Sequence, residues 1–227
     1  MLTAPLAPVF TSLKHRHLSA NSRRQINLIS KLSKRIAAGL KQSSIIEEDD
    51  VELYAYGFYI LISKLLFLII ALILGMILNI VFESIVFYVS FSIIRAYAGG
   101  VHADKEWKCF VYTTIALLIC ALGIKVLINL KPTVLFAVIL MISSLIIIII
   151  SPLDTKEKPL SAKEKEKYYM ISAIVLLSYI LVILLLAKLG IMKVCYAIMF
   201  AIFLESILLM AGLVQNREIN SQKKQHK

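Results

Sequence analysis

The chain has 227 residues, 59% of them apolar, with a mean hydropathy of +0.84 and a formal charge of +11. So apolar a composition excludes a water-soluble domain, because too little polar surface remains to cover a core, and it points to a polytopic membrane protein. Three cysteines without a paired spacing exclude a disulfide framework, and the positive charge has to be read from where it falls along the chain.

Residues 1–25 carry little information. The stretch Met1-Leu-Thr-Ala-Pro-Leu-Ala-Pro8 precedes the basic Lys14-His15-Arg16-His17, the reverse of the basic-then-apolar order of a signal peptide. The expectation is a flexible extension without a cleaved signal, whose native status the sequence leaves open. From Ile26 to Lys41 the apolar Ile29, Leu32, Ile36 and Leu40 recur at three and four, while Lys31, Lys34, Arg35 and Lys41 fall mostly elsewhere. This predicts an amphipathic helix, too short and too charged to span a bilayer, lying on an anionic membrane surface. Glu47-Glu-Asp-Asp50 follows, where carboxylates favour the positive end of the next helix.

Six apolar segments come next, at 53–80, 82–97, 110–130, 132–150, 169–189 and 192–214. Each approaches or exceeds the roughly 20 residues needed to cross hydrocarbon, the second being the shortest. The predicted fold is therefore all-α: about six transmembrane helices and an N-terminal interfacial helix, in a membrane domain over 26–214 with a basic polar tail at 215–227. Twenty Lys and Arg residues lie in the N-terminal region, the second and fourth connections and the C-terminus, against four at the odd-numbered connections. The positive-inside rule then puts both termini and the even-numbered connections in the cytoplasm.

Cys120 and Cys195 fall inside apolar spans and read as small packing residues. With no metal-ligand cluster and no phosphate-cradling glycine loop, the sequence implies no metal and no cofactor. The basic residues are explained by membrane topology and carry no nucleic-acid fold around them.

The second connection is the candidate active site. Arg95-Ala-Tyr-Ala-Gly-Gly-Val-His-Ala-Asp-Lys-Glu-Trp-Lys-Cys109 holds the one histidine outside the tails, and Cys109 follows His102 by seven residues. A thiol needs a base to become a nucleophile near neutral pH, and imidazole has the pKa to supply one. Residues seven apart on a straight helix stand about 10 Å apart, too far for proton transfer. Gly99-Gly100 permits the backbone turn that brings His102 and Cys109 to within about 4–5 Å. Asp104 and Glu106 are candidates for orienting the imidazole, and both read equally well as solvated charges. In the fourth connection, Ser151-Pro-Leu-Asp-Thr-Lys-Glu-Lys-Pro-Leu160 is a stiff electropositive loop on the same predicted face, readable as topogenic charge or as a docking surface for an acidic peptide segment.

These two stretches, in this order and on one side of six spans, resemble the accessory gene regulator B (AgrB) peptidases over about residues 26–214. The resemblance implies a multi-pass membrane cysteine endopeptidase of a Gram-positive bacterium. Its substrate would be a short precursor peptide of the AgrD kind, whose C-terminal tail is cut off and whose remainder is closed into a thiolactone quorum-sensing signal. By motif position His102 is the base and Cys109 the nucleophile. Arg95 and Gly100 match positions the family needs for activity, Gly99 lies beside them, and Lys156 and Lys158 match its basic loop. The resemblance also implies a homodimer. The competing classes are a transporter of a peptide or small solute, for which the spans carry few charges and no internal repeat, and a non-enzymatic membrane scaffold.

Overall fold

A computed structural model describes residues 28–100, 106–130, 133–153 and 160–225. Helices dominate it: α1 (Leu28–Gln42), a 3₁₀ turn at Glu48–Asp50, α2 (Val51–Leu78), α3 (Val81–Ala98), α4 (Glu106–Leu130), α5 (Thr133–Ile150), α6 (Ala162–Lys188) and α7 (Met192–Gln225). Among the described residues there is no strand, only an isolated backbone bridge between Gly99 and Leu153. The chain divides into two units, one up to Phe67 and one from Leu68 onward. Residues 1–25 lie outside the described residues.

In the first unit α1 begins and ends within two residues of its expected bounds. Leu28, Leu32 and Ile36 are exposed along it, as an apolar stripe meant for a membrane surface would be. The helix closes when Ser44 takes a left-handed conformation (φ 54°). Ser44 N–H then donates to the Lys41 carbonyl (2.9 Å) and Ile45 N–H to that of Leu40 (3.0 Å), which satisfies carbonyls the helix end leaves over. The Lys41 ammonium pairs with the Glu48 carboxylate across this turn; both side chains are exposed, so solvent screens the pair and it adds little to stability.

The second unit is built around α7. The other helices each bury one stripe at helical spacing: Phe87, Phe91, Ile94 and Ala98 on α3; Leu117, Cys120, Ile124 and Leu127 on α4; Tyr168, Ser172, Leu176 and Ile183 on α6. On α7 the run Cys195–Met199 is buried without a break, and Ala201, Ile202, Leu204–Ser206 and Leu209 continue it. A helix buried on most of its circumference must be surrounded, and α3, α4, α5 and α6 all pack on α7. The Phe136 ring of α5 meets Tyr196 of α7 edge-on, with centroids 5.3 Å apart. Gly123 of α4 lies against the Phe200 ring, where a Cβ would come within 2.5 Å of it. Cys120 and Cys195 are buried packing residues, as expected.

Outward faces remain apolar: Leu181, Leu184 and Leu185 on α6 are more than half exposed, and so is Ile149 on α5. Such surface costs about 25 cal/mol per Å² in water and costs nothing against lipid chains. The molecule is an all-α membrane protein. Among the described residues, five helices are long and apolar enough to cross a bilayer. The sixth apolar helix, α5, is 18 residues long, the same as α3.

Two helix ends differ from the sequence reading. The fourth connection is shorter than expected, because α6 starts at Ala162 rather than near 169. A capping box starts it: Ser161 Oγ accepts from the Glu164 N–H (3.3 Å), and the Glu164 carboxylate accepts from the Ser161 N–H (2.9 Å). Lys163 and Lys165 therefore project from a helix. At the other end, α7 continues to Gln225, through most of the segment read as a tail.

Truncating Leu209, which is fully buried on α7, should lower the unfolding free energy in mild detergent by about 2–5 kcal/mol. Leu184→Ala, on a lipid-facing surface, should change it by less than about 0.5 kcal/mol. Equal effects in a denaturation series of the two variants would contradict α7 as the core helix.

Candidate active site

The site begins where α3 stops. Gly99 follows Ala98 with φ 84°, and Gly100 has φ 124°, both in the region that side-chain-bearing residues rarely adopt. Each glycine also answers a close approach. A Cβ on Gly99 would lie 2.6 Å from the Leu153 carbonyl oxygen. A Cβ on Gly100 would overlap Nη1 of Arg95 and come within 3.3 Å of the Leu208 carbonyl on α7.

These approaches join the two sequence motifs. Leu153 N–H donates to the Ala98 carbonyl at 2.9 Å, and Gly99 and Leu153 form the parallel bridge. Leu153 is held in turn by what precedes it. Ser151 N–H donates to the Ile147 carbonyl (2.9 Å), ending α5, and its Oγ shares a hydrogen bond with Ser172 Oγ of α6 (2.9 Å). The rings of Tyr97 and Tyr168 stand 6.3 Å apart beside this junction. The start of the Ser151–Leu160 stretch is thus fastened to the Arg95–Gly100 segment, more than 50 positions away in the chain.

Arg95 lies across the turn. Its Nη1 donates to the Gly99 carbonyl at 2.6 Å and stands 3.7 Å from Oε1 of Glu205. The Glu205 side chain is completely buried, whereas that of Arg95 keeps about a fifth of its surface accessible. At 3.7 Å the pair is an ion pair and not a hydrogen bond, and neither Glu205 oxygen has a hydrogen-bond partner among the described residues. In the sequence Glu205 stands out only as one of a few charges within the spans. A stronger signal was there: it is the single ionisable carboxylate in the apolar α7 segment, and such residues face a bundle interior with a partner.

Of the expected site residues, Arg95, Gly99 and Gly100 are brought together. Cys109 falls in the first turn of α4, which starts at Glu106, and its side chain is outside the described set. His102, Lys156 and Lys158 lie outside the described residues, as does Asp104.

The helices define a multi-pass membrane protein in which Arg95, Gly99 and Gly100 meet at one end of α3. Comparison then narrows the class. The chain matches the Accessory gene regulator B family over residues 33–209, most of its length, and it belongs to that family, whose members act as accessory gene regulators in quorum sensing. It is 30% identical over 145 residues to a putative AgrB-like protein 2 of Clostridium perfringens, a stretch covering 62% of this chain and 68% of that one. It is also 30% identical over 118 residues to Accessory gene regulator protein B of Staphylococcus aureus strain Newman, covering 51% of this chain and 61% of the relative. No solved structure matches the chain.

Substituting Ala at Gly99 or Gly100 forces a positive φ and a clash, so each variant should be destabilised by at least about 1–3 kcal/mol. Gly57, inside α2, has nothing within 4 Å of the point where a Cβ would stand, and Gly57→Ala should be neutral or stabilising by up to about 1 kcal/mol. Thermal unfolding of the three purified variants separates the turn glycines from an ordinary helix glycine.

Proposed function

We propose that this chain is a membrane-embedded cysteine endopeptidase that cuts the C-terminal tail from a short precursor peptide and closes the remainder into a thiolactone. The observation that supports it best is the pairing of family membership with the Arg95–Cys109 motif, whose Gly99–Gly100 turn is tied by backbone to the start of the Ser151–Leu160 motif. A turn at Gly99–Gly100 is what the pairing of His102 with Cys109 requires, since a continuous helix would hold them apart.

His102 takes the Cys109 thiol proton, and the thiolate attacks the scissile carbonyl of the peptide. The C–N bond breaks, His102 returns the proton to the departing amine, and the tail leaves. The remainder stays on Cys109 as a thioester. A thiol within the peptide then attacks that thioester, releasing Cys109 and closing the ring. This second step exchanges one thioester for another at little free-energy cost. The first is uphill, because an amide is more stable than a thioester, so removal of tail or ring must draw it forward. Water at the acyl-enzyme would divert it to hydrolysis, and a recessed position at the membrane edge limits that loss.

Both termini and the two even-numbered connections are cytoplasmic in this reading, as the distribution of Lys and Arg requires. The precursor lies on the anionic inner leaflet, and Lys156 and Lys158 attract its acidic tail. Two copies form the working unit. The host is a Gram-positive bacterium.

In anionic vesicles, Cys109→Ala should abolish tail release and any acyl-enzyme while keeping peptide capture. A Cys109→Ser protein as active as wild type would overturn the peptidase in favour of a transporter or scaffold. Lys156→Ala with Lys158→Ala should raise half-saturation, more at low salt than at high, and leave the saturated rate nearly unchanged. A fall in the saturated rate with half-saturation unmoved would make that loop's charge topological only.

A further inference from the structure

We propose that Glu205 is a positioning residue for this reaction, holding the Arg95 guanidinium on the Gly99 carbonyl and so fixing the turn from which the chain enters the His102 stretch. The inference rests on the proposed peptidase function. It assigns a role to a residue in the last helix, more than 90 positions after the catalytic pair.

Packing does not explain Glu205. From Val194 to Asn216 the helix carries no other charge, and the neighbouring Leu204, Ser206 and Leu209 are already buried. A side chain of similar volume without charge would fill the same space at less cost, since a fully buried carboxylate loses its hydration. Nor is the carboxylate there for hydrogen bonding in the bundle, because neither oxygen has a partner among the described residues. What faces it is the guanidinium, 3.7 Å away.

The geometry gives that charge a task. Arg95 Nη1 occupies the volume that a Gly100 side chain would need, while donating to Gly99 O at 2.6 Å. The guanidinium is therefore part of the wall of the turn. Arg95 is partly accessible, so a polar outlet competes for its long side chain. A fixed negative charge behind it, at the buried side, counters that competition. The Leu208 carbonyl lies against Gly100 from the same helix, so α7 sets both the backbone and the charge that the turn leans on. A carboxylate held by a core helix is rigid, which suits it to orienting a group that must sit correctly within a fraction of an ångström.

The test is tail release from the precursor peptide by purified protein in anionic vesicles, with unfolding midpoints measured in parallel. Glu205→Gln keeps the volume and removes the charge. Its kcat should fall about 10–100-fold, the range that a misplacement of about 1 Å costs, with KM changed less than about threefold and the midpoint equal to wild type or higher. Glu205→Asp keeps the charge one methylene further back and should fall between the two. Alkylation of Cys109 by iodoacetamide, followed by the mass of its peptide, adds a readout independent of turnover. Its pH profile should shift upward in Glu205→Gln, towards that of an ordinary thiol, and partly recover in Glu205→Asp.

Wild-type kcat and alkylation profile in a folded Glu205→Gln protein would overturn the positioning role and leave the peptidase standing. Loss of midpoint and activity together, unrelieved in Glu205→Asp, would make Glu205 structural only. Should Glu205→Gln fail to fold, Glu205→Asp decides: wild-type kcat and alkylation profile there overturn the proposal. If wild type releases no tail, the peptidase reading falls and this role falls with it.

Discussion

In the second unit, two backbone segments from distant parts of the chain touch without side chains between them. Gly99 and Leu153 approach as strands do, where the regular elements among the described residues are all helices. Helices cannot offer such contact, because their main-chain groups are already paired within the helix. The contact exists only where α3 and α5 have both ended, and a glycine is needed on one side since a Cβ would strike the Leu153 carbonyl. The end of α5 is fastened to α6 through Ser151 and Ser172, and the end of α3 is braced by α7 through Arg95 and Glu205. Four helices thus converge on one short piece of irregular backbone. That backbone is tolerated at a membrane helix end because the protein itself, not lipid, surrounds it.

The connections differ in kind along the chain. Between α2 and α3 the turn is minimal: Asn79 takes φ 54°, and Ile80 N–H bonds back to the Gly75 carbonyl at 2.8 Å. The Lys125 ammonium of α4 donates to the Leu78 carbonyl there (2.8 Å), placing a cation at the negative end of a helix. Between α6 and α7 the link is one residue longer, with Ile191 N–H bonding the Leu186 carbonyl at 2.9 Å. The connections after α3 and α5 are longer, and they hold Gly99, Gly100, His102, Lys156 and Lys158, while Arg95 lies in the last turn of α3 and Cys109 in the first turn of α4. Short turns do little more than reverse the chain, so the sequence is free to concentrate function at the other connections.

Much of this architecture is legible in the sequence. Apolar runs mark the helices and their order because hydrocarbon demands length and composition that little else in a sequence imitates. The Gly99–Gly100 pair signals a turn for the same steric reason that the structure displays. What escapes are features decided by three-dimensional partners. Glu205 is one charge among apolar residues, and its partner Arg95 is 110 positions away; no periodicity connects them. The early start of α6 has a local signal, Ser161 with Glu164 three residues on, but charge in Lys163, Lys165 and Lys167 masks a helix that continues beyond its apolar part. The His102–Cys109 distance and the positions of Lys156 and Lys158 belong to stretches outside the described residues.

The central place of α7 has a consequence for biogenesis. Residues Cys195–Leu209, the largest contribution of any one helix to the shared core, leave the ribosome after α3, α4, α5 and α6. Those four helices can enter the bilayer one by one, since each shows lipid a largely apolar surface. α3 and α6 can pack on each other before α7 arrives, but α3 must keep Arg95 in the membrane meanwhile without its counter-charge. Insertion and full assembly are therefore separate stages, and the Gly99–Gly100 turn is braced by α7 only at the second. A nascent chain lacking α7 would be inserted without the carboxylate that faces Arg95 and without the backbone that Gly100 lies against.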